Sequence, residues 1–328
     1  MTTSEEELDR MEAAILAGMA DPEITARVPD WTTPDDLTRI GIDAMIASDP
    51  FGRAVFSRGN IRITGAGVTG HSAKANDVAR IMTGFQRLAT ALGASHTGDK
   101  ELGKQANAEV RRRTDLLLTA APGPGSIVLT FAPVLSFMDE VGTPGMILEL
   151  ETNEQMLDTA VGAAIDVFSA GNEIGASPHD SAFVAKLGEM GPRTASAVRD
   201  LAKTLERAGF NIEVDWQQPA RTTRRVRVTA TAAGHMAATV EHANLDEQPV
   251  PLVGEYLTVS AVSSWLIRLD HGEAVTVKLG RIDPGQTRGL AVGDRVRIEA
   301  VMKIETTPGG NTKTTYTAQT FEKLNSSD

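Results

Sequence analysis

The sharpest arrangement of chemistry-bearing residues is Gly65-Ala-Gly67-Val-Thr-Gly70, a G-x-G-x-x-G between a strand-like run and a helix-like run. In a dinucleotide fold, glycines at that place let backbone amides approach a pyrophosphate at the helix N-terminus. Gly65, Gly67 and Gly70 are therefore the candidate anion loop. Two features of its context weigh against it. The preceding run, Asn60-Ile-Arg-Ile-Thr64, carries Arg62 at its centre, where a dinucleotide fold has a strand buried on both faces. The segment after the helix, Gly93-Ala-Ser-His-Thr-Gly-Asp99, is a polar loop where a second buried strand ending in Asp or Glu belongs. The alternative is a glycine loop that joins strand to helix and binds nothing. No G-x-x-x-x-G-K-[ST] occurs, so the P-loop pattern is missing as well.

The other reactive side chains form no set. The six histidines (His71, His96, His179, His235, His242, His271) include no i, i+4 pair. His235 and His242 fall on one helix face but lack a third ligand, so they read as surface residues, and no metal or other cofactor is expected. His179-Asp180-Ser181 has the composition of a hydrolase triad, yet triad members meet through the fold and no G-x-S-x-G elbow is present. Ser177, Pro178 and Asp180 read instead as the cap and first turn of a helix. Glu149, Glu151 and Glu154, and the Glu5–Glu7 run, have no geometry that sequence reveals, and read as solvated surface. Arg111-Arg-Arg113 and Arg224-Arg225 are the dense basic spots, each opening a strand, and read as partners of nearby carboxylates.

Composition bounds the rest. The chain has no cysteine, which removes disulfides, thiolate nucleophiles and cysteine-held metals together. No run of eighteen apolar residues occurs, and the first residues are acidic where a secretory signal starts basic, so the expectation is a cytoplasmic protein with no membrane association. The net charge of −11 is uneven: residues 1–50 hold twelve acidic residues against three arginines, while residues 221–328 are close to neutral. An acidic chain is a poor ligand for duplex DNA, an objection that the near-neutral C-terminal part escapes.

The elements that would position these residues fall into an α+β chain. Residues 1–52 read as an acidic helical segment, with amphipathic helices at 5–20 and 33–49. Residues 53–220 read as a mixed α/β domain. Its expected elements are a strand at 60–64, a helix carrying Val78, Ile81, Met82, Phe85, Leu88 and Leu92, and strands at 114–119, 126–131 and 146–150. A helix from Met156, two more at 180–189 and 194–208, and a strand at 212–216 complete it. A strand and helix over 221–253 connect this domain to the last one, and Gln248-Pro-Val-Pro251 reads as a separator.

From Gly254 the pattern is all-β. Five short strands hide their edges best by closing into a small barrel, with Val275, Val277, Leu279, Val296, Ile298, Ala300, Met302 and Ile304 inward. The run Gly293-Asp-Arg-Val-Arg-Ile298 resembles the late strands of oligonucleotide/oligosaccharide-binding (OB) barrels, and SH3-like barrels fit nearly as well. The resemblance covers about a quarter of the chain, concerns shape alone and carries no functional residue. Strand alternation puts Arg295, Arg297 and Lys303 outside, and Tyr256, Arg268, Lys278 and Tyr316 with them, as a candidate face for single-stranded nucleic acid. Glu299 and Glu305 interrupt that row, and outward cations also keep edge strands apart.

The leading expectation is a non-catalytic binding or regulatory protein with a macromolecular partner, another protein foremost, and with homo-oligomerisation open. The alternatives are an enzyme acting on a nucleotide or phosphorylated ligand at Gly65–Gly70, and single-stranded nucleic-acid binding by the barrel.

Overall fold

The computed structural model describes residues 57–103, 105–120, 127–135, 140, 154–175, 178–218, 221–306 and 312–324. All belong to one compact unit, Phe56–Asp328. The helices expected at 5–20 and 33–49 and the strand expected at 146–150 lie outside the described residues.

The fold is α+β, with six helices and two sheets among the described residues. The first sheet has the order β2-β3-β1-β4-β5, from β1 (Arg58–Thr64), β2 (Leu116–Ala120), β3 (Ile127–Pro133), β4 (Asn211–Gln217) and β5 (Arg224–Val228), every neighbour antiparallel. Alternation decides which face is covered. Ile61, Ile63, Ile127, Leu129, Phe131, Ile212, Val214, Trp216, Val226 and Val228 all turn to one side and are buried. Against them pack α1 (Ala75–His96), α3 (Met156–Asn172), α4 (Ala182–Met190), α5 (Pro192–Ala208) and α6 (Ala230–His242), in one continuous core; α2 (Ala108–Thr114) leads into β2.

Each helix starts and stops for a local reason. Asn107, Ser181 and Thr229 accept backbone N–H bonds from the first turns of α2, α4 and α6. The His179-Asp180-Ser181 run is thus a helix start, a 3₁₀ turn at Pro178–Asp180 followed by the Ser181 cap. Pro192 opens α5, and Gly209, with φ of 65°, ends it in the left-handed conformation. The first turn of α3 is held by Glu140, whose buried carboxylate accepts from the Met156 N–H at 2.8 Å and pairs with Arg113 at 2.7 Å.

The second sheet is a closed barrel of order β10-β8-β7-β6-β9. Its strands are β6 (Glu247–Thr258), β7 (Trp265–Leu269), β8 (Ala274–Lys278), β9 (Arg295–Thr306) and β10 (Thr312–Lys323). Every pair is antiparallel except β10 with β8. Leu252, Tyr256, Trp265, Ile267, Val275, Val277, Val296, Ile298, Ala300 and Ala318 fill it. The proline-rich stretch at 248–251 belongs to β6, already paired with β9 from Glu247 onward. Pro249 and Pro251 fit there because β6 meets β7 only from Gly254, so this part of the strand has a free side that asks for no N–H.

Barrel and helices are joined by buried charge. Arg199 on α5 and Asp246, just before β6, are both fully buried and ion-paired. Arg199 also donates to Asp200 Oδ1 at 2.7 and 2.9 Å and to the carbonyl of Ile304 on β9 at 2.7 Å. Arg87 on α1 reaches Asp200 and Ser196, and Lys303 reaches Asp246 at 3.2 Å. Removing one partner of such a pair strands a desolvated charge, whereas replacing both with apolar groups removes the problem. Arg199→Met alone is expected to lower unfolding stability by about 3–5 kcal/mol in urea titrations. Adding Asp246→Leu should recover part of that loss; strictly additive losses would show that the pair is not coupled.

Candidate binding surfaces

The glycine loop comes first because it is the sharpest sequence motif. Gly65 has a φ of 104° and Gly70 of 61°. The amide of Gly67 donates to the carbonyl of Gly209 at 3.1 Å, that of Val68 to Gly65 O at 3.1 Å, and that of Thr69 to Ser72 O at 2.9 Å. Three consecutive amides of the loop are thus already bonded, and α1 begins only at Ala75, beyond the loop. A Cβ on Gly67 would stand 2.0 Å from the Ala208 carbonyl oxygen and 2.6 Å from the Phe210 ring. Gly67 is glycine because the loop is pressed against the corner between α5 and β4.

On the barrel, the residues singled out from sequence separate into two groups. Arg268, Lys278, Arg295 and Arg297 are exposed. Tyr256 is fully buried, edge-on to Trp265 at 5.4 Å, and its hydroxyl has no hydrogen-bond partner among the described residues. Burial, with the Asp294 carboxylate nearby, pushes that phenol well above its ordinary pKa. Tyr316 lies on the inward side with Ala318, half-buried against the barrel core, and burial raises its phenol too. The placement of Tyr256 outside is thereby corrected, and Tyr316 leans on the core. The register of β6 shifts between Tyr256 and Thr258, so simple alternation fails there. The Tyr256 ring therefore offers no free face for a base.

The exposed barrel cations also differ by wall. On the β6–β9 side, Glu255 lies beside both Arg268 and Arg295 in register, Arg295 pairs with Asp270 at 3.3 Å, and Glu299 follows. The outward residues of β7, β8 and the first half of β10 are Leu266, Arg268, Thr276, Lys278, Lys313 and Thr315, with no carboxylate among them.

The open face of the first sheet is the surface that sequence reading missed. Opposite the helices, β1 presents Arg58, Asn60 and Arg62, β4 presents Glu213, Asp215 and Gln217, and β5 presents Arg225 and Arg227. In register, Arg62, Glu213 and Arg227 form one row across three strands, and Asn60, Asp215 and Arg225 form the next. Thr130 donates to Asn60 Oδ1 at 2.8 Å, and Asn60 donates to Asp215 at 3.1 Å. Burial holds the Asp215 carboxyl above its usual range in spite of that bond. Arg225 pairs with Glu213 at 3.4 Å, while Arg227 is exposed and has no ion pair among the described residues. The signal was present as alternating arginines in 58–62 and 225–227, but their meeting depends on β4 lying between β1 and β5.

A polar cleft of about 330 Å³ lies between α3 and the β4–β5 connection. Glu154–Arg221 and Asp166–Arg224 ion pairs line it, and the buried carboxyl of Asp158 accepts from the Trp216 indole N–H at 2.7 Å. Burial raises the Asp158 pKa, against the pull of its hydrogen bonds. Its place in the first turn of α3 and its bond to a core tryptophan make it a packing anchor. Among the described residues, no three His, Asp or Glu gather as metal ligands, and no helix is long and apolar enough to cross a membrane.

Two expectations test these assignments. Gly67→Ala should lower stability by about 2 kcal/mol or more, since the new Cβ meets backbone oxygen, while Gly70→Ala, with open space around it, should lose only about 1 kcal/mol. Equal small losses in thermal melts would contradict the packing role. For Asp158 the folded pKa exceeds the ordinary 3.8, so the native state holds its proton longer than the unfolded chain does. Its contribution is most favourable below 3.8 and is lost as pH rises through the folded pKa. Asp158→Asn should therefore flatten this part of the stability–pH curve and leave the protein relatively more stable at neutral pH than in acid; an unchanged curve would refute the shift.

No protein-family model, no curated protein and no solved structure matches this chain.

Proposed function

We propose that this is a non-catalytic binding or regulatory protein whose partner is a macromolecule, another protein foremost. The observation that carries the reading is the one-sided covering of the first sheet. Five strands have all their described helices on one face, and the other face offers long polar side chains on a rigid backbone. The backbone of such an array is already ordered, so binding has only its side chains to immobilise, which favours a docking role. At its β2–β3 end the sheet also exposes Leu117, and Val134 just beyond β3 is exposed too, each about half accessible, adding apolar contact to the polar array.

A second reading, single-stranded nucleic-acid binding by the barrel, is favoured by the outward Arg268, Lys278 and Lys313, although Glu255 and Glu305 stand beside the first and last of these in register. The strand order, with first and fourth strands paired and third and fifth parallel, is consistent with an OB-like barrel. In that fold the second and third strands face the ligand, and here these are β7 and β8. The buried Tyr256 weakens it, because stacking supplies much of such affinity.

One experiment separates the two. A photo-crosslinking amino acid is placed at Val128 on the open sheet, at Thr276 on the barrel wall, and at Arg207 on α5 as a control, and the adducts formed in living cells are identified by mass spectrometry. Protein adducts at Val128 above the Arg207 background are expected. Oligonucleotide adducts at Thr276, with none at Val128, would replace the first reading by the second; equal labelling at all three positions would remove both.

A further inference from the structure

We infer that the open sheet face takes an acidic polypeptide segment, an inference that rests on the protein-binding reading above. Four guanidinium groups stand on this face, from Arg58, Arg62, Arg225 and Arg227, against the two carboxylates of Glu213 and Asp215. The carboxylates differ in their partners: one is ion-paired and one is bonded to a neutral side chain. Glu213 is held by Arg225 at 3.4 Å, and Asp215 accepts from Asn60 at 3.1 Å. Arg58 reaches the neutral Gln217 at 3.2 Å, and neither Arg58 nor the exposed Arg227 has an ion pair among the described residues. Among the described residues the face therefore carries more guanidinium than carboxylate groups, in a chain whose net charge is −11.

Spacing and shape select the kind of anion. Arg225 and Arg227 are alternate residues of one strand, about 6.8 Å apart, and the Arg62 row lies two strands away, about 9.6 Å. An extended peptide with acidic residues at alternate positions repeats its carboxylates at the same interval, and each guanidinium can hold a carboxylate through two parallel bonds. A single-stranded nucleic acid has phosphates at a comparable repeat but draws on aromatic faces for its bases. The aromatic side chains on the described strands of this sheet, Phe131 and Trp216, are both buried on the helix side. At the other end of the face, Leu117, Val128 and Ala132 make a less polar strip that suits the aliphatic residues of a peptide. Edge pairing at β5 is hindered, since Asn172 donates to the Arg227 carbonyl at 2.7 Å, so the segment would lie across the face and not extend the sheet.

The test uses the full chain and fluorescein-labelled probes: a short peptide of alternating Glu and Ser, its Lys-for-Glu counterpart, and oligodeoxythymidylate of matching length. Fluorescence anisotropy should show binding of the acidic peptide alone, weakening as salt is raised. Arg58→Glu with Arg227→Glu should weaken it about tenfold or more, and Arg297→Glu on the barrel should leave it unchanged. Thermal melts confirm folding, and the milder Arg58→Gln with Arg227→Gln serves if the reversal does not fold. No binding of the acidic peptide, or binding that survives both double variants, overturns the inference. If protein crosslinks at Val128 persist in that case, the charge assignment alone has failed. Tighter binding of the oligonucleotide that is lost in the double variant would overturn the protein-binding reading as well.

Discussion

The guanidinium of Arg199 is the constraint on which the placement of the rest of the fold depends. A fully buried guanidinium must satisfy its N–H groups and offset its charge within the protein, because no water is there to do either. Its partners come from three separate places: Asp200 from the next position on α5, Asp246 from the turn after α6, and the carbonyl of Ile304 from β9. Burial also works to raise the Asp200 carboxyl, but Arg199 and Arg87 together hold it below its ordinary range. Asp246 stands at the root of β6 and Ile304 near the end of β9, two strands paired along their length. One buried side chain thus ties the long ribbon of the barrel to the helical layer, and a barrel set in another place would leave it unsatisfied.

The same layer determines what the first sheet can do. Since α1, α3, α5 and α6 are held together over one face, the pleat sends every second residue of β1, β3, β4 and β5 into that core and the rest away from it. Arg62 illustrates the consequence. At the centre of a strand buried on both faces it would be intolerable, and at the centre of this half-covered antiparallel strand it is an ordinary outward residue flanked by Val128 and Glu213. The feature that argues against a dinucleotide fold is thus the one that creates the cationic face.

Much of the architecture was legible because it rests on local or periodic signals. Helical spacing marked α1 and α3, Gly209 marked the end of α5, and alternation marked β8 and β9 with Val275, Val277, Val296, Ile298, Ala300 and Met302 facing inward. What escaped depends on tertiary pairing. Pro249 and Pro251 read as a separator because nothing local shows that β6 lacks one neighbour at that point. Tyr256 read as outward because its strand changes register one residue later. Arg62 and Arg227 share a row only because β4 returns between β1 and β5, and no window of sequence contains all three. The glycine motif has a packing explanation that its pattern alone does not show. Its pattern was complete, but tight packing against Ala208 and Phe210 asks for glycine as strongly as a pyrophosphate does.

Charge gives the last step. A net charge of −11 counts against polyanion binding when the chain is treated as a whole, yet charges in 0.1 M salt are felt over only about 10 Å. Residues 1–50 supply most of the acidity, so the total says little about any particular surface in residues 57–324. At contact range a ligand meets individual rows of side chains. The β6–β9 wall alternates Arg295 and Arg297 with Glu255 and Glu299 and is close to balanced. Among the described residues, the open sheet pairs Glu213 with Arg225, bonds Asp215 to Asn60 and gives Arg58 and Arg227 no ion pair. A guanidinium with no ion pair among the described residues, held on a sheet backbone, can take a carboxylate through two parallel bonds, a property that the net charge of the chain does not reveal.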